Sequence, residues 1–211
     1  MDRRQFLKLA GGAVGASVLG CGGLAAWGMK KPAVEFAESS CDGGTGRVLV
    51  AYASLAGSTG EVAEAIGRVL CAGGAAMDVR RVQDVADPSE YRAVVLGSAI
   101  RMGRLLPEMV SFVEKNASVL QVMPTAYFVC CGILRDDTQE NRDEASGYLD
   151  PVRQVVGPVG EGLFAGKIDY GTIAPLEANS LRMLEAPEGD WRDWEAIRAW
   201  AGELAPVLLD G

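Results

Sequence analysis

The sequence contains no histidine, and this absence removes several common kinds of active site. Ser-His-Asp and Cys-His catalysis both need an imidazole, and so does every histidine-ligated metal site. The five cysteines include no CxxC pair, which argues against a zinc or iron–sulfur centre. We therefore predict no metal site and no acid–base catalytic residues.

Positive charge is also scarce, because 20 lysines and arginines face 28 acidic residues and leave a net charge of -8. The first 20 residues carry +2 of this charge, so the rest of the chain is near -10. Such a surface repels nucleic acid and anionic lipid headgroups, and we expect no nucleic-acid partner. A phosphate bound here must be held by local geometry. Hydrophobic residues make up 49% of the 211, enough for the core of about one domain.

The N-terminal residues 1–29 differ in character from the rest of the chain. Arg3 and Arg4 open it, and an uncharged Gly/Ala-rich run follows from Leu9 to Met29. This order is typical of a bacterial export signal, and the arginine pair resembles the twin-arginine type. The alternative is an N-terminal transmembrane helix, for which the glycine-rich run is only weakly hydrophobic. We predict export by the twin-arginine route, to the periplasm or to an anchored position on the outer face of the membrane.

Two features lie between this signal and the body of the protein. The segment Val18–Cys21 resembles a lipobox, so Cys21 is either lipidated, which attaches the protein to the membrane, or a small apolar residue of the signal. Residues 30–46 lack a periodic pattern, and we predict a flexible tether in which Cys41 is exposed without a partner. A single domain is predicted over residues 47–205.

Strand and helix patterns alternate through the body of the chain. Apolar runs typical of strands buried in a parallel sheet occupy residues 47–53, 77–82, 91–99, 124–131 and 160–168. Helical periodicity occupies residues 58–71, 107–116, 138–156 and 190–204. This alternation predicts an α/β domain with an open parallel sheet and helices on both faces. Ligands on such sheets bind beyond the carboxyl ends of the strands.

The loop after the first predicted strand is rich in small and hydroxyl-bearing residues. Ser54, Gly57 and Thr59 lie where a strand passes into a helix, and a helix N-terminus offers unpaired N–H groups and a positive dipole end. No lysine lies in the loop, so it differs from the loop of nucleotide triphosphatases. The pattern predicts a site for a terminal monophosphate. The alternative is a Ser/Gly turn that only caps the helix.

These residues resemble the flavodoxin family. Ser54, Gly57 and Thr59 match its phosphate pattern, Thr/Ser-x-Thr/Ser/Tyr-Gly-x-Thr/Ser, whereas Ala56 departs from it and removes one hydroxyl. Residues 97–104 and the tail 188–201 are similar to one flavodoxin-like branch, the menaquinone-dependent protoporphyrinogen IX dehydrogenases. The resemblance implies a three-layer sandwich with a five-stranded parallel sheet of order 2-1-3-4-5 and bound flavin mononucleotide (FMN).

The resemblance also implies three groups of cofactor-binding residues. The phosphate group comprises Ser54, Leu55, Ala56, Gly57, Ser58 and Thr59. The two ring-flanking groups comprise Ser98, Ala99, Ile100, Arg101, Met102 and Gly103, and Cys131, Gly132, Ile133 and Leu134. The aromatic residue that often lies in the ring loops of flavodoxins is absent. Arg101 either stabilises a reduced, anionic flavin or is a solvated residue at a loop tip. Cys130 and Cys131 are expected to be ordinary buried cysteines, since adjacent cysteines form only a strained disulfide.

Three functions remain open on the sequence alone. The first is an FMN-dependent oxidoreductase or electron-transfer protein outside the cytoplasm, with a redox protein or a quinone as partner. The second is a menaquinone-dependent protoporphyrinogen IX dehydrogenase of haem biosynthesis, which the tail favours and the export signal does not. The third is a cofactor-free binding module on the same fold. The segment 170–188 either covers the flavin edge or touches a membrane that carries quinone, or it packs on the domain as an ordinary cap.

Overall fold

A mostly parallel β-sheet with helices on both faces forms the centre of the domain. The structure is a computed structural model that describes residues 34–44, 46–173, 178–179, 182–183 and 187–209. The strands are β1 Ser39–Cys41, β2 Arg47–Ala53, β3 Ala76–Arg81, β4 Ala93–Arg101, β5 Arg104–Leu105, β6 Thr125–Cys131, β7 Gly160–Ala165, β8 Lys167–Ile168 and β9 Gly189–Asp190. The helices are α1 Ser58–Ala72, α2 Pro107–Lys115, α3 Ala117–Leu120, α4 Gln139–Gly147, α5 Asp150–Arg153 and α6 Trp194–Leu209. The predicted signal 1–29, with Cys21, lies outside the described residues.

The order of the parallel strands is the one expected. Strands β3, β2, β4, β6 and β7 lie side by side in this order and are all parallel, which is the order 2-1-3-4-5 of the five predicted strands. Two antiparallel additions were not predicted. Strand β1 pairs with β3 at the edge of the sheet, and β5 folds back on the end of β4. The predicted flavodoxin-like α/β class is confirmed, with a sheet larger than expected.

Alternation along β2 explains why the sheet is covered on both faces. Val48, Val50 and Tyr52 belong to the apolar layer shared with α1 and α6. Leu49 and Ala51 point the other way, into the layer shared with α2 and α5. All five side chains are 0% exposed, so the strand has to be apolar at every position. The result is a three-layer sandwich.

The last helix begins later than its periodicity predicts. The helical pattern was placed from Asp190, whereas α6 begins at Trp194. The Asp193 carboxylate accepts hydrogen bonds from the N–H groups of Glu195 and Ala196, both at 3.0 Å, and so caps the helix at that point. Asp190 instead belongs to β9, which pairs with β8.

The helical stretch predicted over residues 138–156 is two short helices. Helix α4 ends at Gly147, and α5 begins at Asp150 with Pro151 in its first turn. Proline has no N–H group and is favoured in a first turn, so it begins a new helix instead of continuing the old one. Among the described residues, no helix is long and apolar enough to cross a membrane.

The prediction of a flexible tether over residues 30–46 is wrong for residues 39–41. Ser39, Ser40 and Cys41 form β1, and their partners in β3 run from Val79 to Met77. Cys41, expected to be exposed and unpartnered, forms a disulfide with Cys71 near the end of α1, with the two Cα atoms 6.3 Å apart. The segment before the domain is therefore fastened to it by a strand and by a covalent bond.

Candidate functional site

The three predicted loops meet at one edge of the sheet. In the ladder, Ala53 of β2 lies opposite Ser98 of β4, and Ala99 of β4 lies opposite Cys130 of β6. The three loops therefore follow neighbouring parallel strands at their carboxyl ends. The chain passes from β2 to β3 on one side and later returns to β4 on the other, so this edge contains the point where strand order reverses. Ligands bind at such points in open α/β sheets.

The loop between β2 and α1 is held by its own polar atoms. The Gly57 N–H donates to Ser54 Oγ at 2.9 Å, and the Gly57 carbonyl accepts from the Gly60 N–H at 2.8 Å. Gly57 has a φ of 85°, a left-handed conformation that glycine adopts without strain. A Cβ there would lie 2.9 Å from the carbonyl oxygen of Glu35, so the segment before β1 passes directly beside the loop.

The first turn of α1 contains donors that lack acceptors. Over the described ranges, the N–H groups of Ser58 and Thr59 have no hydrogen-bond acceptor, and no side chain caps the helix. The hydroxyl of Thr59 is also buried without a hydrogen-bond partner in that part of the chain. A buried hydroxyl without a partner costs about 1–3 kcal/mol. This turn is therefore suited to a ligand that brings oxygen acceptors.

The second predicted loop is a tight β-hairpin. Ile100 pairs with Leu105, Arg101 pairs with Arg104, and the turn is made by Met102 and Gly103, whose φ values are 51° and 70°. Positive φ at both turn residues is typical of the two-residue turns that join hairpin strands. The tip is solvent-facing, with Met102 93% exposed.

Ser98 and Ala99 anchor this hairpin to the sheet. The buried Ser98 hydroxyl accepts a hydrogen bond from the Leu106 N–H at 3.1 Å and donates to the Ala99 carbonyl at 2.9 Å. Its side chain therefore holds the base of the hairpin. Arg101 and Arg104 lie opposite each other and are exposed, which concentrates positive charge on an otherwise acidic protein. Like charges in this position weaken strand pairing.

The third predicted loop is a 3-10 turn after β6. Cys131 and Leu134 are buried in a small apolar cluster, whereas Gly132 is exposed and Ile133 is half-buried. The Asn141 side chain donates to the Ile133 carbonyl at 3.0 Å and so fixes the turn from α4. Only the middle of this predicted group, Gly132 and Ile133, therefore faces outward at the edge of the sheet.

The two adjacent cysteines are free, buried thiols, as the sequence predicts. Burial raises the pKa of Cys130 to about 12, and the neighbouring Cys131 adds to this rise, while the charge of Arg192 and the nearby Thr59 hydroxyl, which makes no well-formed hydrogen bond to the thiol, oppose it. Burial likewise raises the pKa of Cys131 to about 11. The thiolate is the reactive form of cysteine, so both residues are inert at neutral pH.

Sequence reasoning missed Trp191 and Arg192, which the chain brings back to the site from its C-terminal part. The Trp191 N–H donates to the Gly166 carbonyl at 3.2 Å, and the Arg135 guanidinium of the third loop lies 5.8 Å from the centre of its ring. The Arg192 guanidinium donates to the Ser58 carbonyl at 3.1 Å in the first turn of α1. Both residues fall in the tail quoted for the family resemblance, but nothing in its spacing places them beside the first loop.

The segment predicted as a cover over residues 170–188 is described only in part. Ala178 is buried, whereas Met183 is 85% exposed. Residues 174–177, 180–181 and 184–186, with Leu176, Leu181 and Leu184, lie outside the described residues. The two interpretations of this segment both remain predictions.

Comparisons with known proteins agree with this geometry. The family model described as "Flavodoxin domain" matches residues 49–194. Protoporphyrinogen IX dehydrogenase (quinone) from Escherichia coli strain K12 is 31% identical over 173 residues, covering 75% of this chain and 94% of the relative.

Similar folds occur among solved structures. A flavodoxin from the domain Archaea has a TM-score of 0.50 at 19% identity, covering 77% of this chain and 98% of that one. A WrbA-like flavodoxin from Agrobacterium tumefaciens has a TM-score of 0.50 at 15% identity, covering 79% and 99%. At these identities the likeness shows a shared fold. Together with the family model and the relative from E. coli, it shows that the chain belongs to the flavodoxin domain family.

Proposed function

We propose that this chain binds FMN at the β2–α1 loop and works as an FMN-dependent oxidoreductase or electron-transfer protein. The observation that carries the proposal is the set of donors without acceptors at the start of α1, namely the N–H groups of Ser58 and Thr59 and the Thr59 hydroxyl. A phosphate monoester supplies oxygen acceptors and negative charge at the positive end of a helix. Membership of the flavodoxin domain family supports this ligand.

The residues of the chain fit a binding and orienting role. The loop 54–59 would hold the phosphate, while the tip of the β4–β5 hairpin and the turn Gly132–Arg135 would flank the ring. Bound FMN would supply the transfer of one or two electrons, so the protein needs no acid–base catalytic residues of its own. The buried thiols Cys130 and Cys131 stay protonated and take no part in electron transfer.

Positive charge at the hairpin gives Arg101 a role in this proposal. Arg101 and Arg104 lie opposite each other on β4 and β5, at the edge of the sheet where the ring would lie. A cation near the flavin ring favours its reduced, anionic form. In this proposal Arg101 therefore stabilises the reduced, anionic flavin and is not simply a solvated residue at a loop tip.

A second candidate function is the oxidation of protoporphyrinogen IX with a quinone as electron acceptor. The relative that carries this name is 31% identical to the chain and is matched over 94% of its own length. In this version the redox partner is a membrane quinone. Turnover of protoporphyrinogen IX by the full chain with menaquinone would favour this candidate over a general electron carrier.

We also propose that the protein works outside the cytoplasm. The N-terminal arginine pair and the uncharged run after it support export. The Cys41–Cys71 disulfide supports it independently, because disulfides persist in oxidising compartments and are rare in the cytosol.

The proposed function is tested by the absorbance spectrum of the purified full chain. We expect a yellow flavoprotein, or an apoprotein that becomes one when FMN is added, with FMN released on denaturation. A chain that stays colourless after incubation with excess FMN would contradict the proposal and leave the cofactor-free binding module as the better account.

A further inference from the structure

Arg192 is a buried charge whose partners lie in two distant parts of the chain. Its side chain is 3% exposed and its guanidinium stacks on Trp194, 4.4 Å from the centre of the indole ring. It donates to Asp190 Oδ1 at 2.8 Å, to Glu61 Oε2 at 3.0 Å and to the Ser58 carbonyl at 3.1 Å. A buried guanidinium is stable only when it is paired in this way.

These contacts join the tail of the chain to the candidate phosphate turn. Ser58 is the first residue of α1, and Glu61 lies in the same turn. Arg192 is separated from Ser58 by 134 residues in sequence, so the contact exists only in the folded domain. The planar guanidinium binds a carboxylate and a carbonyl at the same time, which a lysine ammonium does with less geometric precision.

The charges around this turn would otherwise oppose a phosphate. The loop 54–60 has no lysine or arginine, and the nearest acidic group on its own helix is Glu61. A carboxylate in the first turn stabilises a helix, but it repels a second anion at the same position. Arg192 contacts this carboxylate directly and so offsets part of its charge where an anionic ligand would bind, while the same guanidinium also pairs with Asp190.

We propose that Arg192 is a positioning residue for the phosphate site, which offsets the charge of Glu61 and holds the Ser58 carbonyl so that the first turn of α1 accepts a phosphate monoester. The inference rests on the proposed function, because it assigns a role toward the phosphate of FMN. The residue would act through its contacts with Glu61 and Ser58 and would not touch the cofactor.

The test compares FMN with riboflavin, which has the same ring and lacks the phosphate. Dissociation constants for both flavins are measured by fluorescence quenching on the full-length apoprotein and its Arg192→Gln variant. We expect the variant to weaken FMN binding by about tenfold or more, which corresponds to about 1.4 kcal/mol, and to change riboflavin binding by less than about threefold, because riboflavin has no phosphate charge. Equal weakening for the two flavins would mean a structural role only and would overturn the proposal, as would unchanged FMN binding.

The role of charge is tested by adding Glu61→Gln to the same variant. Removing the Glu61 carboxylate should restore part of the lost FMN affinity, because the two residues act on the same ligand charge, while Asp190 stays without its cation in both variants. Failure of the second change to restore FMN binding would overturn the neutralisation. Arg68→Gln is the matched control, since this exposed arginine on α1 pairs with Glu64 and carries the same charge away from the turn. We expect it to leave both affinities unchanged.

A further variant keeps the test decisive if Arg192→Gln does not fold. Glu61 is about half exposed, so Glu61→Gln alone should fold normally. We expect it to tighten FMN binding by about threefold without affecting riboflavin, because one repulsive charge is removed. Unchanged or weaker FMN binding would overturn the inference. A wild-type chain that binds neither flavin would instead contradict the proposed function itself.

Discussion

Gly57 controls the shape of the loop on which the proposed function depends. Its φ of 85° lies in the left-handed region, and the Glu35 carbonyl leaves no room for a Cβ. Its N–H group donates a hydrogen bond to the Ser54 hydroxyl, and its carbonyl accepts one from the Gly60 N–H group. These three contacts therefore fix the conformation of the loop, and among the described residues the N–H groups of Ser58 and Thr59 are left without acceptors.

Replacing Gly57 with alanine should disturb this loop more than the rest of the fold. We expect Gly57→Ala to destabilise the protein by about 1–2 kcal/mol, the cost of a left-handed alanine, and to weaken FMN binding. Chemical denaturation and flavin titration measure the two effects. Gly202→Ala is the matched control, because Gly202 lies on α6 with open space around its Cβ position. This control should be neutral or stabilising; the same loss in both variants would refute the assignment.

The two buried thiols should make the free energy of unfolding fall as the pH rises into the alkaline range. The pKa is raised to about 12 for Cys130 and to about 11 for Cys131, whereas an unfolded thiol ionises near pH 8.5. Above about pH 9 the unfolded chain therefore loses protons that the folded chain keeps, and stability falls as pH rises.

Each thiol should contribute up to about 1.4 kcal/mol per pH unit to this fall. Reversible unfolding between pH 8 and 10 measures it, with a Cys130→Ala/Cys131→Ala double variant for comparison. The free energy of unfolding of the variant should fall less steeply with rising pH. The buried Tyr52, whose pKa is also raised, contributes equally to the pH dependence of both proteins. Parallel curves for the two proteins would show that the thiols ionise normally in the folded state.

Residue types and their spacing predicted the candidate phosphate loop but not the distant residues that contact it. Ser54, Gly57 and Thr59 are close in sequence, so their pattern is visible before folding. Arg192 reaches the same turn only through the tertiary fold. Ser98 was assigned to the ring, yet its hydroxyl is used within the hairpin base, because a sequence pattern does not show which way a side chain points.

At the scale of elements, β1 and its disulfide extend the domain beyond the predicted boundary. The strand is three residues long, too short for a periodic pattern to be detected. Its position depends on pairing with β3 and on the bond between Cys41 and Cys71. By contrast, β2, β4 and β6 were predicted within two residues at each end, because each is a continuous apolar run buried on both faces.

Removing the disulfide should lower stability markedly. The bond closes a loop with a sequence separation of 30, for which chain entropy gives about 3–4 kcal/mol. We expect a Cys41→Ser/Cys71→Ser variant to lose stability of this order in chemical denaturation. Wild-type protein treated with a reductant should fall to the same value. If the reductant leaves the wild type unchanged, the bond is absent or carries no stability.

At the scale of the whole molecule, the proposed export would be linked to folding. The twin-arginine route carries folded proteins, so a protein exported in this way would receive its cofactor in the cytoplasm before crossing the membrane. The acidic body, near -10 after the first 20 residues, gives no reason for binding to anionic lipids through its surface. The N-terminal segment and the segment 170–188 are the two parts of the chain predicted to contact a membrane.

Export should depend on the two N-terminal arginines. We expect the Arg3→Lys/Arg4→Lys variant of the full chain to accumulate in the cytoplasm, where the wild type is found in the periplasmic or membrane fraction. The lysines keep the charge and test the arginine requirement alone. Cell fractionation followed by immunoblotting provides the measurement. Equal export of both proteins would point to a different route, and cytoplasmic wild type would contradict export altogether.

The most direct test of the central claim is a crystal structure of the full chain with FMN bound. The account predicts that the phosphate lies at the start of α1, with oxygen atoms within hydrogen-bond distance of the N–H groups of Ser58 and Thr59. It also predicts that the ring lies between the β4–β5 hairpin and the turn Gly132–Arg135. A phosphate bound elsewhere, with these N–H groups unpaired as before, would contradict it.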